Sequence, residues 1–135
     1  MQFVDTNILL YAISNDPQES AKAAIAREIL DSWDLGLSTQ VLQEFFVQAT
    51  RVTRTHSITV AQASALIEAF SRFAIQEVTL TIIQAAISTH QRFQLSYWDS
   101  AIIEAARALG CNEVLSEDLS HGTDYAGVRV SNPFL

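Results

Sequence analysis

The sequence has few cysteines, prolines and glycines, and each shortage excludes a class of protein. Its single cysteine, Cys111, cannot form a disulfide within the chain, which argues against a disulfide-stabilised secreted domain. Two prolines and four glycines, with 49% hydrophobic residues, exclude collagen-like and disordered chains. No apolar run approaches the roughly 18 residues of a membrane span, and the N-terminus has an acid at position 5 and no basic segment typical of a signal peptide. We expect one soluble cytoplasmic domain over residues 1–135, with no membrane partner.

Basic residues are also scarce, at 8 against 15 acidic residues, which gives a net charge of −7 at pH 7. Proteins that hold nucleic acid by charge alone are usually basic, so this balance argues against a simple DNA- or RNA-binding module. The argument weakens if several carboxylates bind divalent cations, because the metals invert the local field. Composition therefore does not choose between these two cases.

Short apolar strands alternate with amphipathic helices along the chain. The predicted strands cover residues 3–4, 35–38, 75–78, 113–116 and 127–130. The first helix follows Asp5, and further helices are predicted over about 19–33, 39–54, 59–73, 81–93 and 97–109, with a polar loop over 117–126. Strands separated by helices predict an α/β fold with a doubly wound parallel sheet of about five strands, flanked by helices on both faces.

The first ten residues, MQFVDTNILL, combine a short strand, a polar turn and the start of a helix. Asp5, Thr6 and Asn7 directly follow the apolar pair Phe3 and Val4. One interpretation is helix capping, since these residue types accept hydrogen bonds from the free N–H groups of a helix start. The other is a binding site at the carboxyl end of a parallel strand, where open α/β sheets bind ligands. This stretch alone favours capping, and other acids further along the chain favour a site.

Three further acids are expected at the same edge of the sheet. Glu44 lies little more than one turn into the helix after the second strand, Asp99 lies in the first turn of the last helix, and Asp118 follows the strand that ends in Val114-Leu115-Ser116. In a doubly wound sheet, helix N-termini and strand C-termini share one edge, so all of them are expected to meet there with Asp5.

Each of these acids also has a structural interpretation. Glu44 belongs to a polar helical stripe that is typical of a solvated face. Asp99 stands three residues after Ser96, as in a capping box. The loop that holds Asp118 also contains Glu117 and Asp124, either of which fits the place of the fourth acid. The prediction of a site therefore depends on the four acids together.

Carboxylates that converge in a cleft repel one another, so they require protonation or a bound cation. Oxygen ligands of this kind suit Mg²⁺ or Mn²⁺, and such ions activate water and hold the oxygens of a phosphodiester during hydrolysis. No histidine pairs with the cysteine at a spacing typical of zinc ligands. The acids therefore predict a magnesium or manganese site that acts on phosphodiesters.

The segments VDTNILLYA, LSTQVLQEFF, YWDSAII and LSEDL, with the closing VRVSNPF, together resemble a PIN-domain ribonuclease. Within that family they resemble the VapC toxins of bacterial toxin–antitoxin pairs, in the family's order and over essentially the whole chain. The resemblance implies a five-stranded parallel sheet and a Mg²⁺- or Mn²⁺-dependent endoribonuclease site. It assigns the metal-binding and catalytic roles to Asp5, Glu44, Asp99 and Asp118, and the supporting polar roles to Thr6, Asn7 and Ser116.

The resemblance also implies partners: an RNA substrate, a cognate antitoxin and a second copy of the chain in a homodimer. The net charge of −7 suits a basic antitoxin segment. Arg51 and Arg54, at a predicted helix end, are candidates for contacts with RNA phosphates, and the structural alternative is that they stabilise a helix C-terminus. The alternative function is a PIN-like module with weak catalysis that binds RNA or a partner.

Other enzymes and modules that place acids after parallel strands fit less well. A receiver-type phosphoacceptor needs a lysine after a late strand, and the only lysine, Lys22, is in the second predicted helix. A haloacid-dehalogenase-like phosphatase needs an aspartate at position 7, where this chain has Asn7. A nicotinamide-binding protein needs a glycine-rich turn after the first strand, and no glycine precedes Gly36.

Overall fold

The computed structural model describes all 135 residues, which form a six-stranded sheet flanked by six α-helices. The strands are β1 (Gln2–Val4), β2 (Leu35–Ser38), β3 (Ala74–Gln76), β4 (Glu113–Leu115), β5 (Asp124–Tyr125) and β6 (Val128–Ser131). The helices are α1 (Thr6–Ala12), α2 (Ser20–Leu30), α3 (Thr39–Ala49), α4 (Val60–Phe70), α5 (Leu80–Phe93) and α6 (Tyr97–Ala108), and a short 3₁₀ turn, Pro17–Glu19, precedes α2.

The strands lie in the order β3-β2-β1-β4-β6-β5, and every pair is parallel except β5 with β6. The chain moves outward from β1 to β2 and β3, then returns to place β4 on the other side of β1. The β1/β4 boundary is therefore the point where the strand order reverses, and open α/β sheets bind ligands at the carboxyl ends of such strands. The predicted doubly wound parallel sheet is confirmed.

Helices cover both faces of the sheet. Successive residues of a strand face opposite sides, and both Phe3 and Val4 in β1 are fully buried, as is every residue of β2. Within β2, Gly36 allows close packing, because a Cβ at this position would lie 2.8 Å from Leu109 Cδ1 and 3.3 Å from Cys111 Sγ. The Cys111 thiol is buried. No helix combines the length and apolarity needed to cross a membrane.

The structure corrects the sequence prediction in the loop over 117–126, because β5 lies within it. Ala126 and Gly127 join β5 to β6 with φ values of 53° and 96°, as in the two-residue turn that suits a hairpin. Asp124 Oδ1 accepts a 2.7 Å hydrogen bond from Gly127 N. A two-residue strand is too short to show an alternating pattern, and alanine is unusual at a positive φ, so the sequence carries little signal for this hairpin.

Three helices are shorter than predicted. Helix α2 ends at Leu30 instead of about residue 33, α3 at Ala49 instead of about residue 54, and α4 at Phe70 instead of about residue 73. At the end of α3, Thr50 Oγ1 donates a 2.7 Å hydrogen bond to the carbonyl of Phe46, in the preceding turn. Such a bond competes with continuation of the helix. The segment after Ala49 is therefore a loop, and it contains Arg51 and Arg54.

Candidate active site

Asp5 lies where β1 meets α1, beside the end of β4. Its backbone N–H donates to Leu115 O at 3.0 Å, which continues the pairing of β1 with β4. It is the N-cap of α1 in an extended conformation, and its Oδ1 accepts from Thr6 N at 2.7 Å. Its Oδ2 accepts a 2.7 Å hydrogen bond from Ser116 Oγ. The capping interpretation is therefore correct, and the same carboxylate also lies at the switch point of the sheet.

Asp118 and Asn7 join the carboxyl ends of β4 and β1. Asn7 Nδ2 donates to Asp118 Oδ2 at 3.1 Å, and Ser116 Oγ accepts from Asp118 N at 3.1 Å. The Ser116 hydroxyl thus links Asp5 to the backbone of Asp118. These contacts place Asn7 and Ser116, two of the supporting polar residues that the family resemblance implies, next to Asp5 and Asp118.

Glu44 is attached to the same site by two hydrogen bonds. Thr6 Oγ1 donates to Glu44 Oε2 at 2.8 Å, and Gln40 Nε2 donates to Glu44 Oε1 at 3.0 Å. Gln40 Nε2 also donates to the carbonyl of Trp98 at 3.2 Å, which ties α3 to the first turn of α6. Glu44 is half-buried and Gln40 is buried, so the solvated-face interpretation of this polar stripe is wrong at these two positions.

Asp99 lies in the first turn of α6, where Ser96 is the N-cap and its Oγ accepts from Asp99 N at 3.1 Å. A complete capping box also requires a bond from the N-cap backbone N–H to the third residue's side chain. Helix α4 has both bonds, between Thr59 and Gln62, whereas α6 has only the first. The Asp99 carboxylate is therefore not used to close a capping box.

The four acids interact electrostatically. The pKa of Asp5 is raised from 3.8 to about 6, chiefly by burial; the charges of Asp118 and Glu44 also raise it, and hydrogen bonds from Ser116 and Thr6 lower it. The pKa of Asp99 is also raised, first by burial and then by Asp118 and Glu44, against the lowering effect of Ser96. The negative charges of Asp118 and Glu44 thus lie close enough to Asp5 and Asp99 to disfavour ionisation of these two carboxyls. A bound cation would relieve this repulsion.

The donor set has the chemistry of a magnesium or manganese site, but the side chains are not arranged around one point. No three acidic, histidine or cysteine side chains of the chain are placed so that they hold a metal ion. Both oxygens of Asp5 and both of Glu44 accept hydrogen bonds from protein donors. The residues present therefore fit a divalent ion in type, and ligation requires side-chain rotation.

Two adjoining cavities open at the site and share Asn7, Leu10 and Asp118 in their walls. The smaller, of about 230 Å³, also contacts Glu44, and the larger, of about 380 Å³, extends to Arg54 and Glu117. Arg54 is the only basic residue in either wall, while Arg51 is exposed and outside both. Of the two predicted phosphate contacts, the structure brings Arg54 to the site and leaves Arg51 away from it.

The two acids that compete with Asp118 in the sequence make other contacts. Glu117 forms an ion pair with Lys22 and accepts a 2.5 Å hydrogen bond from the hydroxyl of Tyr11. Burial tends to raise the pKa of Glu117, and the bonds from Lys22 and Tyr11 outweigh it, so that the pKa is lowered. Asp124 lies in β5, where it holds the hairpin turn. Asp118 is thus the acid of this loop whose carboxylate is hydrogen-bonded to Asn7.

Sequence reasoning missed two groups that support the site. Gln40 is one: its spacing of four residues before Glu44 is the available signal, because residues four apart share a helix face. The other is the contact of Tyr11 and Lys22 with Glu117, which joins α1 and α2 to the loop after β4. Glu117 is 95 residues from Lys22 in the chain, so no local pattern predicts this contact.

Solved structures of toxins share the fold over nearly the whole chain. A toxin–antitoxin complex from Klebsiella pneumoniae is 22% identical, with a TM-score of 0.70 and coverage of 98% of both chains. The sarcin-ricin-loop-cleaving toxin VapC20 of Mycobacterium tuberculosis is 20% identical, with a TM-score of 0.68 and coverage of 87% of this chain and 92% of that one. DNA-bound VapBC from Salmonella typhimurium is 19% identical, with a TM-score of 0.67 and coverage of 98% and 97%.

At these identities the similarity shows the fold, and no curated protein matches the sequence significantly. The family is shown by a sequence model, that of the PIN domain, which matches residues 3–121. The match spans Asp5, Glu44, Asp99 and Asp118, and it includes both strands at the switch point. The chain belongs to the PIN-domain family.

Proposed function

We propose that the protein is a metal-dependent endoribonuclease of the VapC type, the toxin of a toxin–antitoxin pair. The observation that carries the proposal is the group of four carboxylates at the β1/β4 switch point, where Asp118 and Glu44 raise the pKa of both Asp5 and Asp99. Acids that repel one another at a ligand-binding edge are a costly arrangement without a cation, and cations that suit carboxylate oxygens are the ones used in phosphodiester hydrolysis.

In this proposal Asp5, Glu44, Asp99 and Asp118 hold Mg²⁺ or Mn²⁺. The ion, when bound, supplies an activated water and neutralises charge on the scissile phosphate. Thr6 and Gln40 orient Glu44, and Ser116 and Asn7 orient Asp5 and Asp118. Arg54, in the wall of the larger cavity, contacts a phosphate of the RNA on the side of Asp118.

Two findings support the choice of RNA as substrate and of a toxin as the functional class. The chain is a PIN domain, and one similar structure is that of a toxin described as cleaving the sarcin-ricin loop. The net charge of −7 makes unassisted RNA binding unfavourable, and divalent ions at the acidic site offset that charge locally.

The test is cleavage of a mixed RNA pool in Mg²⁺ or Mn²⁺, with Asp99→Asn as the variant and Asp124→Asn as the matched control. Each change removes one carboxylate charge, but only Asp99 is in the acid group. We expect EDTA and Asp99→Asn each to lower the cleavage rate by about a hundredfold or more, as when an enzyme loses a main electrostatic contribution to catalysis. Asp124→Asn should cleave at the wild-type rate. Undiminished cleavage by Asp99→Asn would refute the assignment.

One observation favours a second candidate, a PIN-like module that binds RNA or a partner with weak catalysis. No three acids are arranged as metal ligands in the structure. This candidate predicts that the folded protein binds RNA in a gel-shift assay but shows neither Mn²⁺ binding nor cleavage. Those two results together identify the second candidate.

We further propose an antitoxin partner and a homodimer. Similar structures include a toxin–antitoxin complex from Klebsiella pneumoniae and a DNA-bound VapBC, and the acidic chain suits a basic antitoxin segment. Co-expression with the product of the neighbouring gene tests the partner: a complex that co-purifies and does not cleave RNA is expected. Light scattering of the isolated chain tests the dimer, and a monomer mass contradicts it.

A further inference from the structure

The only lysine of the chain forms a three-residue contact beside the acid group. Lys22, on α2, forms an ion pair with Glu117, and its Nζ lies 3.3 Å from the hydroxyl of Tyr11, on α1. Tyr11 in turn donates to the other carboxylate oxygen of Glu117 at 2.5 Å. Both oxygens of Glu117 are therefore bound by side chains from two different helices.

Aromatic packing fixes the position of the ammonium group. Lys22 Nζ lies 5.0 Å from the ring centroid of Tyr11 and 5.6 Å from that of Phe134, and the two rings pack edge to face at 5.0 Å. A cation over aromatic faces is attracted by their quadrupoles. The Lys22 charge therefore has a defined place between α1, α2 and the C-terminal segment.

The residue that Lys22 holds lies between two residues of the site. Ser116 donates to Asp5, and Asp118 accepts from Asn7, while Glu117 between them is bound to Lys22 and Tyr11. The loop after β4 carries two consecutive acids, and either one satisfies the sequence pattern of a site acid. Glu117 N also donates to Asn7 Oδ1 at 3.4 Å, so both residues adjoin Asn7, and the side-chain contacts of Glu117 with α1 and α2 leave the Asp118 carboxylate as the one bonded to Asn7 Nδ2.

We propose that Lys22 is a positioning residue of the nuclease: by holding Glu117 against Tyr11, it fixes the loop after β4 so that Asp118 supplies that loop's carboxylate to the acid group. Lys22 acts through Glu117 and does not contact the substrate. This inference rests on the proposed metal-dependent nuclease, and it assigns a role in that site to a residue on α2.

The experiment measures the dissociation constant of Mn²⁺ for the full chain, from the electron paramagnetic resonance signal of free Mn²⁺. Lys22→Met keeps an unbranched side chain over the two rings and removes the charge, and Lys22→Arg keeps the charge. Positioning and simple electrostatics predict opposite results for Lys22→Met. If Lys22 acts only through its charge, removing that positive charge strengthens cation binding. If Lys22 holds the loop after β4 through Glu117, removing this contact weakens Mn²⁺ binding by about tenfold, as expected for a residue that orients a metal ligand.

We therefore expect Lys22→Met to raise the Mn²⁺ dissociation constant about tenfold and Lys22→Arg to leave it near the wild-type value. Because Lys22 acts through Glu117, the double variant Lys22→Met/Glu117→Gln should bind Mn²⁺ as Glu117→Gln alone does. Tyr11→Phe removes one of the two contacts to Glu117 without a change of charge, and it should weaken Mn²⁺ binding even if Lys22→Met folds poorly.

An unchanged or lower dissociation constant in Lys22→Met, or a further loss in the double variant beyond Glu117→Gln, overturns the positioning role and leaves the nuclease proposal intact. Absence of Mn²⁺ binding by the folded wild type overturns both proposals. The wild-type titration thus separates failure of the nuclease proposal from failure of the inference about Lys22.

Discussion

Replacement of Asp5 by asparagine should stabilise the metal-free protein, although it removes the residue at the centre of the site. The folded state holds this carboxyl among buried groups, where its pKa is raised from 3.8 to about 6, chiefly by burial. An acid whose pKa is higher in the folded than in the unfolded state binds more protons when folded. Stability is then complete below the unfolded pKa and falls as the pH rises through the folded value.

The size of the effect follows from the shift. Each unit of pKa corresponds to about 1.4 kcal/mol, so the wild type loses up to about 3 kcal/mol between about pH 4 and pH 7 on account of this group. An asparagine carries no charge to desolvate. Its oxygen still accepts from Thr6 N, and its NH₂ group donates to Ser116 Oγ if the hydroxyl turns. We expect Asp5→Asn to raise the free energy of unfolding by about 1–3 kcal/mol near neutral pH.

The assay is urea unfolding of the metal-free wild type and of Asp5→Asn at about pH 4 and about pH 7.5, with Glu77→Gln as a control for an exposed carboxylate. The difference between Asp5→Asn and wild type should be small at the lower pH and largest at the higher, while Glu77→Gln stays close to wild type at both. Saturating Mn²⁺ should stabilise the wild type only. A destabilised Asp5→Asn at neutral pH, or a difference that does not vary with pH, would refute this reasoning.

Two further substitutions test contacts that support the site. Gln40→Ala removes the donor shared by Glu44 and the Trp98 carbonyl, and should lower the free energy of unfolding by about 1–3 kcal/mol, measured in urea, because two part-buried acceptors each lose a hydrogen bond. Arg107→Ala removes the ion-pair partner of the buried Glu104 carboxylate, which keeps only the hydrogen bond from Thr89, and it removes two bonds to the carbonyls of the β5–β6 hairpin. We expect the free energy of unfolding to fall by about 3 kcal/mol and hydrogen exchange in that hairpin to become faster; unchanged exchange would contradict this.

The parts of the fold that could be predicted are those with a repeating local pattern. The parallel strands are short apolar runs between amphipathic helices, and this pattern predicts a parallel sheet and the position of its ligand-binding edge. Gly110 has φ +80° directly after the end of α6, and a glycine after a helix end is a local pattern that predicts such a positive φ. Of the hairpin near the C-terminal end, the sequence predicts strand β6 but not β5, which has only two residues and whose carbonyl of Tyr125 accepts from Arg107 on α6, a contact that leaves no local pattern.

The candidate site likewise contains residues that a local sequence pattern predicts and residues that only the folded structure identifies. Asp5 and Asp118 were found because each follows a strand, and Asp99 because it opens a helix. Whether Asp118 or Glu117 belongs with them depends on Lys22 and Tyr11, which lie far away in the chain and meet the loop only after folding. The burial of Gln40 likewise depends on the packing of α3 against the first turn of α6. Contacts between elements far apart in the chain therefore determine both the choice of Asp118 over Glu117 and the burial of Gln40.

Titration of the folded, metal-free protein with Mn²⁺ is the most direct test of the central claim, that the four acids at the β1/β4 edge bind a divalent cation. We expect saturable binding by the wild type, loss of binding in Asp99→Asn and in Asp118→Asn, and normal binding in Asp124→Asn, whose carboxylate holds the hairpin turn. Folded wild-type protein that binds no Mn²⁺, or Asp99→Asn that binds it as tightly as the wild type, would contradict the account.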